Sequence, residues 1–236
     1  MLNVMAWLEL HRKQLITGFV VVVAVIAVIY LWRHFRAEAE ARGNDALLRL
    51  RARSGQPDSA PKATDFLKVA EEHASTTVAL RARLLAAGAF FADNRYAEAQ
   101  TEFEKVRTAA GSGALVAQAA FGIAACLDAL DKAEPAAAAY REVIATYSED
   151  SVAGQARLAL ARLETARKQP AAALRLYDEL LRDREAGPFS QQARQLREEL
   201  VRKNPSLAGT NAPVAAPAAP AAPAAAPAPA AAPAVK

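Results

Sequence analysis

The residue types that most often carry catalysis or hold metals are sparse in this chain and poorly spaced for either role. Its three histidines, His11, His34 and His73, have no Cys, His or carboxylate partner at metal-ligand spacing on a shared helix face. No glycine-rich phosphate loop, no G-x-S-x-G and no H-E-x-x-H occurs. The single cysteine, Cys126, stands among apolar residues in a helical pattern, where a small buried hydrophobe is expected rather than a reactive thiol. A lone cysteine allows no intramolecular disulfide, so it does not report the compartment. Aspartate and glutamate are abundant, but their spacing puts them on exposed helix faces as solvated charge. The expectation is a chain with no catalytic residue, no metal, no cofactor and no small-molecule substrate, and so not an enzyme.

What such a chain offers is surface. The net charge of +4 comes from 29 basic and 25 acidic residues interspersed along the sequence, too mixed for a nucleic-acid footprint. Alanine is the dominant residue and aromatics are only 6%, which suits closely packed helices and disfavours a sheet.

Residues 1–14 form a short polar start ending His11-Arg12-Lys13-Gln14. Leu15 to Trp32 then runs without a charge, and at about 1.5 Å per residue it is close to the thickness of a bilayer core. Tyr30 and Trp32 end the run where interfacial aromatics are expected. A cleaved signal peptide is the rival, because Ala37-Glu38-Ala39 has the small-x-small form. The run is longer than a signal's apolar core, however, and Arg33, His34 and Arg36 separate it from that site. The reading is an uncleaved signal anchor. Lys and Arg flank both ends of the run, and counting them gives a slight balance against a cytoplasmic N-terminus.

Residues 33–76 are expected to continue as a helix out of the membrane, with Ala46, Leu47 and Leu50 as an apolar stripe. They then break at Ser54–Pro61 and add a second helix carrying Phe66, Leu67, Val69 and Ala70, which with the preceding helix fills the slot of a divergent first hairpin. Arg49, Arg51 and Arg53 are expected on a solvated face, with contact to anionic headgroups as the alternative. Residues 77–203 show paired helical patterns over 78–92 with 95–108, 114–130 with 133–147, and 151–168 with 170–183, then a capping helix over 188–203. Within each pair the apolar residues recur at three- and four-residue steps on either side of a polar turn, as in Asp93-Asn94-Arg95. Residues 204–236 hold eight of the thirteen prolines, separated almost only by alanine. That composition has nothing to bury and is expected to be a disordered, extended spacer.

The pairs repeat with a fixed phase. Phe66, Phe103, Tyr140 and Tyr177 are 37 residues apart, as are Ala82, Ala119, Ala156 and Ala193. First helices place Ala87, Ala124 and Ala161 at one position, and second helices place Ala99, Ala136 and Ala173 at another. Four residues after the latter comes an aromatic, and three further on an aliphatic: Val106, Val143 and Leu180. Small, aromatic and aliphatic residues at these spacings resemble the tetratricopeptide repeat, although the repeat here exceeds the usual length of about 34 residues. The fold expected is all-α: a single N-terminal transmembrane helix, an α-solenoid of tetratricopeptide-like hairpins, and the Pro/Ala tail.

The resemblance implies that first helices line a concave groove, and by phase this assigns Arg81, Leu84, Gly88 and Phe91 to it. Gln118, Phe121, Ala125 and Asp128 follow from the second pair, and Gln155, Leu158 and Arg162 from the third. Phe91, Phe121 and Leu158 would accept apolar side chains of a protein or peptide segment, and Arg81 and Arg162 its carboxylates. Leu84, Phe121 and Leu158 packing between repeats is the competing expectation. The whole layout also resembles the YfgM-like family of ancillary secretory-translocon subunits. That resemblance implies a single-pass protein of the bacterial inner membrane with periplasmic repeats and a chaperone-like role. The Pro/Ala tail departs from the family. An adaptor that scaffolds an envelope complex without chaperone activity, and a cytoplasm-facing scaffold, are the alternatives.

Overall fold

Runs of alanine, leucine and charged straight-chain residues, punctuated at intervals by glycine, proline and short polar turns, fold as helices joined by tight connections. The computed structural model describes residues 2–53, 61–74, 76–148, 150–183 and 188–209, with side chains described from residue 21 onward. The described residues contain nine α-helices and no strand. They are α1 (Leu2–Arg53), α2 (Ala63–Glu72), α3 (Thr77–Ala92), α4 (Tyr96–Ala109), α5 (Ala114–Ala129), α6 (Ala133–Thr146), α7 (Ser151–Ala166), α8 (Pro170–Arg182) and α9 (Pro188–Lys203).

Each helix packs antiparallel-hairpin fashion on its sequence neighbour, and α1, α3, α5, α7 and α9 also touch in series. No comparable contact joins α2, α4, α6 and α8 to one another. The odd-numbered helices therefore form a close inner wall and the even-numbered ones splay outward, which is the curvature of a tetratricopeptide-like solenoid.

The aromatic of each even helix fixes the step. Phe103 of α4 lies flat against α5 at Gly122, where a Cβ atom would sit 2.5–2.6 Å from the ring. Tyr140 of α6 shares a core with Val152, Ala156 and Leu160 of α7. Tyr177 of α8 shares one with Ala193 and Leu200 of α9. The hairpin turns repeat equally well. Asn94, Asp131 and Lys168, again 37 residues apart, all have left-handed backbones with φ of 60°, 59° and 60°. In each, the next residue's N–H reaches back to close the helix end: Arg95 to Phe90 O at 2.8 Å, Lys132 to Leu127 O at 2.9 Å, Gln169 to Glu164 O at 2.8 Å.

Both ends of the array carry features of their own. The polar start, the apolar run and the segment after it belong to one unbroken helix, α1. Its C-terminal part is the first helix of the array: Gly43 and Leu47 are buried, and a Cβ on Gly43 would come within 2.9 Å of Val78. Glu40 of α1 accepts a hydrogen bond from the Thr77 N–H at 2.9 Å, capping α3 from another helix. At the other end, Pro205–Gly209 is a 3-10 helix rather than the start of a tail, and Leu207 packs on the α7–α9 core.

Among the described residues no helix is long and apolar enough to cross a membrane. The expected span Leu15–Trp32 begins six residues before the first described side chain, so it lies partly outside them. The break over 54–60 and the Pro/Ala tail from 210 also lie outside the described residues.

Two substitutions test this account of the step and the turn. Gly122→Ala should lower stability by about 1–3 kcal/mol, because the Phe103 ring must leave its seat. Lys168→Gly should raise it by roughly 0.5–1 kcal/mol, since lysine bears the Cβ penalty that Asn94 and Asp131 tolerate better. Both are read from denaturant unfolding of the full chain.

Candidate functional site: the inner wall of the array

An odd helix touches its two odd neighbours and the even helices behind it, so only one face remains free, and that face lines the inner wall. The wall's residues sort into two groups. Arg81, Gly88, Gln118 and Arg162 are exposed, and Ala125, Asp128 and Gln155 are half-buried. These reach the surface. The apolar anchors expected there are largely committed to cores. Leu84 packs on the core shared by α3, α4 and α5, and Phe121 packs on the next core, with its ring 5.9 Å from that of Tyr140. Phe91 closes its own hairpin turn, edge-on to Tyr96 with ring centroids 5.1 Å apart.

Leu158 must be corrected outright. It is 5% exposed and packs with Ala161, Leu174 and Tyr177, so it offers nothing to a ligand. Its counterparts Leu84 and Phe121 keep partial exposure. The difference is positional: the core that holds Leu158 is completed by α9, the last helix of the stack.

Behind the wall, burial acts on ionisable groups. Tyr140 and Tyr177 stand at the same repeat position as Phe103, and their hydroxyls need partners. Tyr140 donates to Asp128, whose repeat counterparts are Phe91 and Thr165. Tyr177 pairs with Thr165, whose own hydroxyl donates to the Ala161 carbonyl at 2.8 Å. The phenylalanine occurs where the facing position is apolar, and tyrosine where it is polar. Burial raises the Tyr140 hydroxyl well above the ordinary tyrosine range. Burial likewise raises the Asp128 carboxyl, with the Tyr140 hydrogen bond opposing and nearby Asp131 adding to the rise. The buried Cys126 thiol is pushed up to about 11 by desolvation, which suits inert packing rather than nucleophilic chemistry.

The outer side carries features that the sequence alone did not signal. Two carboxylates are buried and doubly paired. Glu102, 6% exposed, lies between Arg83 at 2.9 Å and Lys105 at 2.6 Å. Glu164, 1% exposed, lies between Arg141 at 2.5 Å and Arg167 at 2.9 Å. A 340 Å³ cleft opens where α6 and α8 splay over α7, with Ile144, Leu160 and Leu176 in its lining and Arg141 and Arg175 also lining it. The signal for it is the missing α6–α8 contact, which is set by crossing angles and not by residue period. Among the described residues no group of three His, Cys, Asp or Glu side chains is placed to hold a metal ion.

Helical hairpins stacked by an aromatic step, with one continuous inner wall, decide the family. Residues 5–139 match the tetratricopeptide repeat-like domain family. The chain belongs to it. No curated relative matches the sequence. The crystal structure of MamA protein is similar over 100% of its own chain and 76% of this one, at 15% identity and a TM-score of 0.47. As a tetratricopeptide repeat-like chain, the protein is a protein-interaction module, and its partners are proteins.

The raised carboxyl of Asp128 gives a signed pH effect. A group protonated more readily in the fold than in the unfolded chain costs nothing below its ordinary value and destabilises increasingly as pH rises through and above it. Asp128→Asn, which keeps an acceptor for Tyr140, should therefore raise the thermal midpoint at neutral pH. It should also flatten its pH dependence between about pH 4 and pH 7.

Proposed function

We propose that this chain is a membrane-anchored interaction module whose repeats face the periplasm. There it assists proteins at the secretory translocon in a chaperone-like manner, holding segments along its inner wall. The observation that carries the anchor is α1 itself. From Val21 to Trp32 its large apolar side chains are between 46% and 67% exposed, on every side of the helix. No soluble helix keeps so large an apolar surface in water without a cover. Arg36 stacks over Trp32 at 5.2 Å and Arg33 precedes it, the pairing of aromatic and cation that suits a bilayer boundary.

The same helix then enters the first repeat through Gly43 and Leu47. About 16 Å of helix separates Trp32 from Gly43 at 1.5 Å per residue, so the array would stand close to the membrane surface. An interaction surface held there meets chains as they leave the bilayer. The periplasmic side and the translocon as partner follow from the resemblance to YfgM-like proteins.

Two measurements on native membranes test the reading. The chain should stay in the pellet after alkaline carbonate extraction, and a periplasm-active reporter fused after Ser206 should be active. Release by carbonate overturns the anchor, and activity only from a cytoplasm-active reporter overturns the orientation.

A further inference from the structure

Four polar side chains occupy one repeat position on four successive inner-wall helices: Asn44, Arg81, Gln118 and Gln155, each 37 residues after the last. Asn44 and Gln155 are half-buried, and Arg81 and Gln118 are exposed. Among the described residues none of the four has a hydrogen bond or ion pair. Polar groups elsewhere between helices are engaged: Arg83 with Glu102, Arg141 with Glu164, Arg157 with Asp183, Arg197 with Asp178. The ladder is thus a row of N–H donors, one per repeat, with no acceptor from the described residues. Half-buried Leu84 and Phe121 lie three residues beyond Arg81 and Gln118, on the same wall.

The spacing of that row selects its ligand. Neighbouring packed helices stand about 8–10 Å apart. A polyproline-II chain advances about 9.3 Å per three-residue turn and leaves its backbone carbonyls unpaired. One turn of such a chain therefore matches one step of the ladder. A chain rich in proline also carries more acceptors than donors, because proline has no N–H. This protein contains such a segment. Pro217, Pro220 and Pro223 recur every three residues within an uncharged Pro/Ala stretch that follows the last described residue. Its side chains are small enough for the backbone to approach the wall, and its prolines suit the Leu84 and Phe121 surfaces. At about 3.1 Å per residue, residues 210–236 reach roughly 80 Å, well beyond the roughly 30 Å that the four ladder residues span.

We infer that the Pro/Ala tail of the same chain docks along the Asn44–Arg81–Gln118–Gln155 ladder and occupies the inner wall as an intramolecular competitor of its partners. The tail is then a displaceable plug rather than a spacer. This rests on the inner wall being the binding surface proposed above.

The test uses the full chain in detergent micelles, with a benzophenone amino acid replacing Gly88, an exposed wall position with open space around it, irradiated at low concentration. The expected product is a monomer in which position 88 is joined to the tryptic peptide 204–236. Its yield should fall about fivefold with Gln155→Ala, the loss of one hydrogen-bond donor. It should fall at least as far when Pro217, Pro220 and Pro223 are all changed to glycine, which leaves the fold untouched and removes the preset turn. Circular dichroism confirms that each variant remains helical. Products joining position 88 only to a second copy or another protein overturn the tail as occupant while keeping the wall as a binding surface. No product with any polypeptide, even when client peptides are added, overturns both. A tail product whose yield ignores the proline and Gln155 changes overturns the ladder register.

Discussion

The structure depends on one contact made repeatedly: an aromatic ring from each even helix pressed into a small-residue site on the next odd helix. Phe103 over Gly122 is its tightest form. Without the ring, successive hairpins would lose the largest side chain at their shared interface and leave only smaller aliphatic and alanine contacts, which fix the angle less tightly. With it, each pair is locked to the next at one spacing, and a line of inner helices results. The inner wall, the splayed outer side and the regular ladder of exposed groups are consequences of that lock. The choice of Tyr or Phe at the ring position follows the same logic, since each buried hydroxyl has to meet a polar group on the helix it faces.

The second constraint lies in α1, whose two halves differ in burial. One half is apolar on all sides, and the other half narrows to Gly43 and Leu47 where it meets α2 and α3. Glu40 adds a polar link by capping α3. No turn lies between the halves among the described residues, so the repeat array has no hinge at its point of attachment. In a membrane protein this makes the height of the array above the bilayer a property of helix geometry rather than of linker length.

Much of this was legible in the sequence because it is periodic. The 37-residue phase located each hairpin, and the polar turns fell at Asn94 and Asp131, which take left-handed backbones, whereas Lys168, which takes one too, reads in the sequence as the end of a helix. What periodicity cannot supply is context at the ends and angles between elements. Leu158 reads as an equivalent of Leu84 and Phe121, and only the closing helix α9 removes it from the surface. Gly43 carries no signal of its own in the sequence, and its role shows only with Val78 placed against it. Glu102 and Glu164 read as solvated charges; their burial depends on Arg83 and Arg141, which lie 19 and 23 residues away. The outer cleft depends on how far α6 and α8 diverge, a quantity no residue pattern records. Arg81, Gln118 and Gln155 were legible as inner-wall positions, but Asn44 and the lack of protein partners became visible only with the neighbouring helices in place.

The central claim is that one helix is both membrane anchor and first element of the repeat array. Hydrogen exchange of the full chain in lipid nanodiscs measures this directly. The account predicts continuous protection from residue 21 through residue 53, with lipid shielding the part to Trp32 and packing on α2 and α3 shielding the part from Gly43. Solvent-like exchange across residues 21–32, or a freely exchanging gap between Trp32 and Gly43, would contradict it.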